Sequence, residues 1–469
     1  MSADLSAKAG REFGRSRRRK SATGLVMSWR TVECWGAGAC LFLNTGAFFP
    51  LMLIGSDAAL DEAAKAKLRL LLLPAYAFTL LILSRHVRQF ITALVRNPLF
   101  NLLIAMAFVS VFWSISPSVT LRRATGLLFS VLSSYMLAIC FTPRQLLVLV
   151  TATVGLCILL SLALLGVSPT LAIDQEGMLQ GAFVTKNILG WYSSILAAAT
   201  FIILMDGSFG MRRAAGILLA ASLTCLAWSM SMTSIIATSC ACFLIWFYSS
   251  LPKMHGLARA VFMLVFIQAT VVLLILLHEF LVPVLLTLGK DATLTGRVPL
   301  WELVDASIGR RLMLGYGYQV FWTEANPDAW AIWSRIQWMA PHSHNGFRDT
   351  LLSFGLGGMA LFAMIIARAL RQGASLQCRV PEAGWLWLNV FMVMILVMNL
   401  TESIFLVQND AIFILFATAI ISFSLHSPAS LKRVGSVHSR VRAAERAAAM
   451  SSGQDNRSDQ AWRQQIGAK

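Results

Sequence analysis

The sequence predicts an all-α polytopic membrane protein, a single bundle of about twelve transmembrane helices. Three observations predict it. Of 469 residues, 57% are hydrophobic and only 13% charged, against roughly half and a quarter in an ordinary soluble domain. Apolar stretches of about 17 to 25 residues, the length that crosses a bilayer as a helix, recur from Glu33 to Leu425. The polar breaks between them carry positive charge in alternation, the pattern that fixes membrane orientation.

Taken in order, the apolar stretches fall at 33–54, 68–84, 99–113, 124–141, 145–166, 188–206, 214–229, 231–248, 259–283, 350–367, 384–400 and 405–425. An even count puts both tails on one side, and their basic residues make that side the cytoplasm. Residues 1–32 then form a basic cytoplasmic tail, 33–425 the membrane domain, and 426–469 a second cytoplasmic tail. The last carries Arg440, Arg442, Glu445 and Arg446 and reads as a short amphipathic or disordered segment. The run Arg15, Arg17, Arg18, Arg19, Lys20 lies too far from a small-residue cleavage site for a signal peptide and reads as a cytoplasmic anchor.

Alternate loops test the orientation. Those with Arg85, Arg88 and Arg96, with Arg144, with Arg212 and Arg213, with Lys253 and Arg259, and with Arg368, Arg371 and Arg379 all fall on the cytoplasmic side. The opposite loops hold Asp57, Asp61 and Glu62, then Asp174 and Glu176, then the long periplasmic segment of about 284–349. Arg122 and Arg123 are the exception, basic residues on the outer side. A net charge of +17 concentrated in tails and alternate loops is membrane topology and argues against nucleic acid. The eight cysteines lie in or beside apolar spans and imply neither a disulfide framework nor a CxxC metal site.

The segment 284–349 gathers Lys290, Asp291, Arg297, Arg310, Arg311, His342, His344 and Asn345 among Trp301, Trp322, Trp330, Trp333 and Trp338. Tryptophan prefers the headgroup level, so this loop is expected to lie on the membrane, where a lipid-borne substrate would meet it. Histidine as a residue type titrates near neutral pH, which makes His342 and His344 candidate bases. Their HxH spacing suits a metal equally, against which stand the lack of a third nearby histidine and of a carboxylate cluster beyond Asp349. Ordinary loop histidines are the plain alternative.

Arginine matches a pyrophosphate by its planar fork, which makes Arg297, Arg122 and Arg123 candidate clamps; a lone interfacial arginine otherwise just snorkels to headgroups. Lys186 and Asn187, in Gly181-Ala182-Phe183-Val184-Thr185-Lys186-Asn187, begin a span where helix-start amides favour an anion. Glu402, in Asn399-Leu400-Thr401-Glu402-Ser403, is ionisable near membrane depth and a functional candidate on that ground. His278-Glu279 lacks the second histidine of a zincin helix, and Ser229, Ser231, Thr233 and Ser234 pack helices as readily as they bind substrate.

Together these motifs resemble the O-antigen ligase-related superfamily. The order is Trp113-Ser114-Ile115-Ser116-Pro117 with Arg122 and Arg123, the Gly181–Asn187 stretch, Gly289-Lys290-Asp291-Ala292-Thr293-Leu294-Thr295-Gly296-Arg297 with Trp301, Gly315-Tyr316-Gly317, and His344-Asn345-Gly346 through Gly355-Leu356-Gly357. The Lys290–Arg297 part is most similar to ExoQ-type exopolysaccharide polymerases, and the resemblance spans about residues 100 to 425.

The resemblance implies a GT-C-type glycosyltransferase, independent of metal or other cofactor, that polymerises undecaprenyl-pyrophosphate-linked repeat units into exopolysaccharide at the periplasmic face. A chain-length regulator or export proteins would be its partners. It maps His344 and Arg297 as catalytic; Arg122, Arg123, Lys186, Asn187, His342, Asn345 and Glu402 are proposed to bind substrate. Arg348 departs from the family pattern, which is usually apolar there. A ligase that passes finished glycan to lipid A core shares these motifs. A transporter shares the helix count, but would show inverted repeats and mid-membrane polar groups, whereas here no repeat is evident and the polar residues gather on one face.

Overall fold

The computed structural model describes residues 28–49, 62–250 and 297–427, with a few positions between 254 and 268. Most of the predicted span 259–283, the pair His278-Glu279, Lys290, Asp291 and nearly all of both tails lie outside the described residues. Each other predicted apolar stretch falls largely on a helix where it is described, and among the described residues two, Ile173 and Leu179, form an isolated β-bridge without a named strand. The chain is therefore all-α. Among the described residues five helices are long and apolar enough to cross a membrane, or six if one bent pair counts as a span, and shorter apolar helices accompany them. This is a multi-pass membrane protein.

The helices begin where local chemistry stops the chain from continuing otherwise. α1 (Trp29–Thr45) starts because the Ser28 side chain accepts the Thr31 amide and ends at Gly46 in the left-handed region. α2 (Glu62–Arg85) turns by 95° at His86 into α3 (Val87–Arg96), a short helix where the sequence reading had only a loop. Proline at the first position opens α4 (Pro98–Val109), α5 (Pro117–Cys140) and α6 (Pro143–Val167), the last with a Thr142–Gln145 capping box. α7 (Lys186–Met205), capped by Thr185, is apolar all round and buried over most of its length. α8 (Arg212–Ser229) and α9 (Met232–Ser250) follow it.

The described chain resumes at α10 (Arg297–Arg310), then α11 (Pro327–Ile336), α12 (Gly346–Arg379), α13 (Trp385–Met398) and α14 (Ala411–His426). α12 differs most from expectation, beginning and ending outside the apolar stretch 350–367. It is broken at Gly355, with φ 63° and ψ −162°. The chain before α12 repairs the break: Tyr316 N donates to Leu352 O at 2.7 Å and Leu356 N to Leu312 O at 2.8 Å. A Cβ on Gly355 would stand 2.3 Å from the Met313 backbone, so only glycine fits. A second difference lies before α14, where 399–410 is irregular although partly apolar; Ile404, Phe405 and Leu406 are buried by packing, with Leu406 and Asn409 at positive φ.

Two chemically different ends result. At one, Arg30 donates to Cys140 O and Gln145, Arg96 to Leu425 O, Arg368 to Arg96 O, and Arg144 pairs with Asp206. At the other, α10, α11 and the starts of α5, α7, α9, α12 and α14 meet, built around a second apolar cluster that includes Leu300, Tyr316, Phe321 and Trp333.

Candidate functional site

At this second end one carboxylate collects three partners from distant parts of the chain. Glu402, in the loop after α13, is 2% exposed. Its Oε1 accepts from Arg297 Nη2 at 2.7 Å and from Asn187 Nδ2 at 3.5 Å. Its Oε2 faces His344 Nδ1 at 3.4 Å, close enough for an ion pair although not aligned as a hydrogen bond. Arg297 also donates to Thr401 O at 2.5 Å. Burial alone would push the Glu402 carboxyl up, but His344 and the Arg297 guanidinium outweigh it and hold the group below the usual carboxylate range.

The His344 loop is fixed from behind. His344 has φ 53°, and its backbone N–H donates to His342 Nδ1 at 3.2 Å, the two rings lying 4.1 Å apart. That bond makes His342 Nδ1 an acceptor. Burial, and then the neighbouring His344, push His342 down to about 4, so it stays neutral at physiological pH. Asp349 clamps the same loop: it accepts from Ser343 N at 3.2 Å, from Trp322 Nε1 at 2.9 Å and from Ser403 Oγ. Since Ser403 adjoins Glu402, one carboxylate ties the histidine loop to the glutamate loop.

A glycine brings these loops together. Gly346 N lies 2.9 Å from both Asn399 O and Glu402 O, and a Cβ there would come 2.0 Å from Asn399 Oδ1. Asn345, predicted to bind substrate, is placed as the N-cap of α12: its Oδ1 accepts from Phe347 N and Arg348 N, and its Nδ2 donates to Leu400 O at 2.9 Å. The structure gives that side chain a structural task, worth about 1 kcal/mol as a cap.

Arg348 now has an explanation. It forms a two-pronged pair with Asp305 of α10, at 2.7 and 2.8 Å, and lies 4.8 Å over the Trp301 ring, while Trp301 Nε1 donates to Ser343 O at 2.9 Å. These contacts lock α10, which begins at Arg297, onto the start of α12, which follows His344. Asp305 went unnoticed in the sequence, because a pair joining separate helices leaves no local pattern.

The remaining predicted residues stand apart. Lys186 is paired with Glu176 and, at 3.7 Å, with Asp174. Arg123 donates to Gln319 O, and Gln319 Nε2 to Leu406 O at 2.9 Å, which places Arg123 near the far end of the loop that carries Glu402. Arg122 is exposed one position earlier. Among the described residues, the side chains grouped with metal-ligand spacing are Glu33, His86 and Cys140 at the opposite end, where Arg30 already pairs with Glu33 at 3.1 Å.

The fold and this cluster define a class: a multi-pass helical membrane protein with a histidine, a buried carboxylate and an arginine joined at one end. No family model matches the chain. It is similar to the exopolysaccharide production protein ExoQ of Rhizobium meliloti (strain 1021), 29% identical over a stretch that covers 56% of this chain and 62% of that protein. The chain thus matches under two thirds of that relative's length. The similarity bears out the ExoQ-type resemblance carried by the motifs.

Proposed function

We propose that the protein polymerises undecaprenyl-pyrophosphate-linked repeat units into exopolysaccharide at the periplasmic face of the bacterial inner membrane. The observation that carries this reading is the chain Arg297–Glu402–His344. With Nδ1 turned to a carboxylate, His344 keeps Nε2 for an acceptor sugar hydroxyl, and Glu402 steadies the imidazolium formed as the proton arrives. The hydroxyl oxygen attacks the anomeric carbon in one inverting displacement; the bond to the pyrophosphate breaks and that group leaves with the electron pair.

Two donor nitrogens of Arg297 are engaged, by Thr401 O and Glu402. Its remaining N–H groups are left for the departing phosphate, with Arg122 and Arg123 as further cations on the same end. The reaction draws on no metal and no nucleotide, because the pyrophosphate is already a leaving group. The basic end faces the cytoplasm in this reading, with twelve spans, both termini inside and a GT-C-type arrangement. The role in exopolysaccharide production that ExoQ's name records supports the polymer as product.

The test is to size lipid-linked and secreted glycans from cells carrying His344→Ala at matched expression. A polymerase predicts loss of polymer, by on the order of 100-fold or more, with single repeat units left on the lipid carrier. Long chains stranded on the carrier would instead establish a ligase. An unchanged profile would leave the chemistry without its base and favour a transporter.

A further inference from the structure

The break between α2 and α3 leaves a helix that the chemistry above does not use. α3 runs at 95° to α2, so if α2 crosses the bilayer, α3 lies along its surface. Its ten residues divide cleanly. Phe90, Ala93 and Leu94 turn to the protein: Ala93 is fully buried and Phe90 meets Tyr135 of α5 edge to face, ring centroids 5.5 Å apart. Val87, Ile91 and Val95, four residues apart and so on one stripe, are 49%, 54% and 74% exposed. Arg88 and Thr92 follow that stripe by one position and are exposed as well.

An apolar stripe bordered by cations is the pattern of a helix that lies in the headgroup layer. The surroundings repeat it. Arg85, at the end of α2, sits 4.0 Å over the ring of Trp29, itself half exposed, and a tryptophan at a helix end marks the interface. Among the described residues neither Arg85 nor Arg88 faces a carboxylate. The nearby acid Glu33 is already taken by Arg30 and by His86, whose Nε2 lies 3.1 Å away and whose Nδ1 meets Gln89 at 2.7 Å. These bonds hold the bend at a set angle.

We infer that α3 is an in-plane interfacial helix, with Val87, Ile91 and Val95 in the acyl layer and Arg85 and Arg88 binding anionic phospholipid headgroups. Its leaflet is the one opposite the His344 end. The occupant is the bilayer that the chain itself spans, because the stripe continues the level set by Trp29 and Arg85. Each arginine contributes a preference of roughly fivefold for anionic over zwitterionic lipid, and salt weakens it.

Two measurements on the full chain in nanodiscs test this. A spin-labelled amino acid introduced by codon suppression at Val95 is expected to be relaxed by lipid-soluble oxygen, and the same label at Thr92 by a water-soluble nickel chelate. A Val95 label open to the chelate, or shielded from both reagents by a protein partner, would overturn the in-plane helix. Native mass spectrometry should show phosphatidylglycerol retained over phosphatidylcholine, and the preference should fall several-fold in Arg85→Gln/Arg88→Gln. Equal retention by parent and variant would overturn the headgroup site. Neither readout depends on the glycan reaction, so it stands or falls apart from the proposed function.

Discussion

The two ends of the bundle differ in what most engages their arginines. At the basic end Arg30, Arg96, Arg144 and Arg368 donate to backbone carbonyls that helix termini leave unpaired, Cys140 O, Leu425 O, Glu382 O and Arg96 O among them. There the cation completes the helices and favours their negative termini. At the other end Arg297 meets a side chain, the 2% exposed Glu402, which also faces His344. A buried carboxylate costs several kcal/mol to desolvate unless it is paired; Glu402 meets that cost with Arg297 and His344, and Glu33 at the basic end with Arg30 and His86. The lesson is that a buried carboxylate paired to arginine and histidine does not by itself mark a reaction centre; in the proposed function it is the position of Glu402, beside the His344 loop, that sets it apart from Glu33.

The comparison breaks first at Glu402. Glu402→Gln keeps the shape but leaves the buried Arg297 without its counter-charge, which should cost about 3 kcal/mol of stability and on the order of 100-fold in polymer yield. Thermal unfolding of purified protein beside glycan sizing checks both. Parent-level yield would remove Glu402 from the centre. Gly346→Ala comes next: its methyl would press on Asn399 and part the Glu402 loop from His344, lowering yield by roughly tenfold with the protein still folded. Unaltered activity would mean that the loops tolerate separation.

His342→Gln sharpens the contrast through pH. In the fold His342 titrates near 4, whereas in an unfolded chain it titrates near ~6.5. Between those values the unfolded state takes up a proton that the folded state refuses, so stability falls as pH drops through that window. The variant should lose this slope; a thermal midpoint with the same pH dependence as the parent would contradict it. The smallest effect belongs to the basic end. Arg144 and Asp206 are 32% and 40% exposed, so Arg144→Gln should cost under about 1 kcal/mol and leave glycan lengths as they were. A shortened polymer would show that the ends are coupled.

Helices were legible because their apolar runs are long, and lipid demands such runs wherever the chain crosses it. What escaped was set by tertiary partners. α3 looked like a charged loop because its apolar stripe is only three residues, Val87, Ile91 and Val95. The span 405–425 was expected to begin at Phe405 because Phe405 and Leu406 are apolar, yet both are buried in irregular chain ahead of the helix. His344, Arg297 and Glu402 could each be picked out by residue type and position. Their mutual pairing could not, since nothing local records a contact across 105 residues. Asn345, proposed to contact substrate, also carried a capping signal in its place just before a helix, and the structure shows it as the N-cap.

The wide spacing of the cluster bears on biosynthesis. Asn187 and Glu402 are 215 residues apart, with Arg297 and His344 between them. The carboxylate that joins them enters with the loop before α14, the last described helix. A ribosome-bound chain can therefore insert helix after helix with its histidine and arginine unjoined. If the proposed function holds, the cluster is completed only once the loop that carries Glu402 has been made, after most of the described helices have been synthesised.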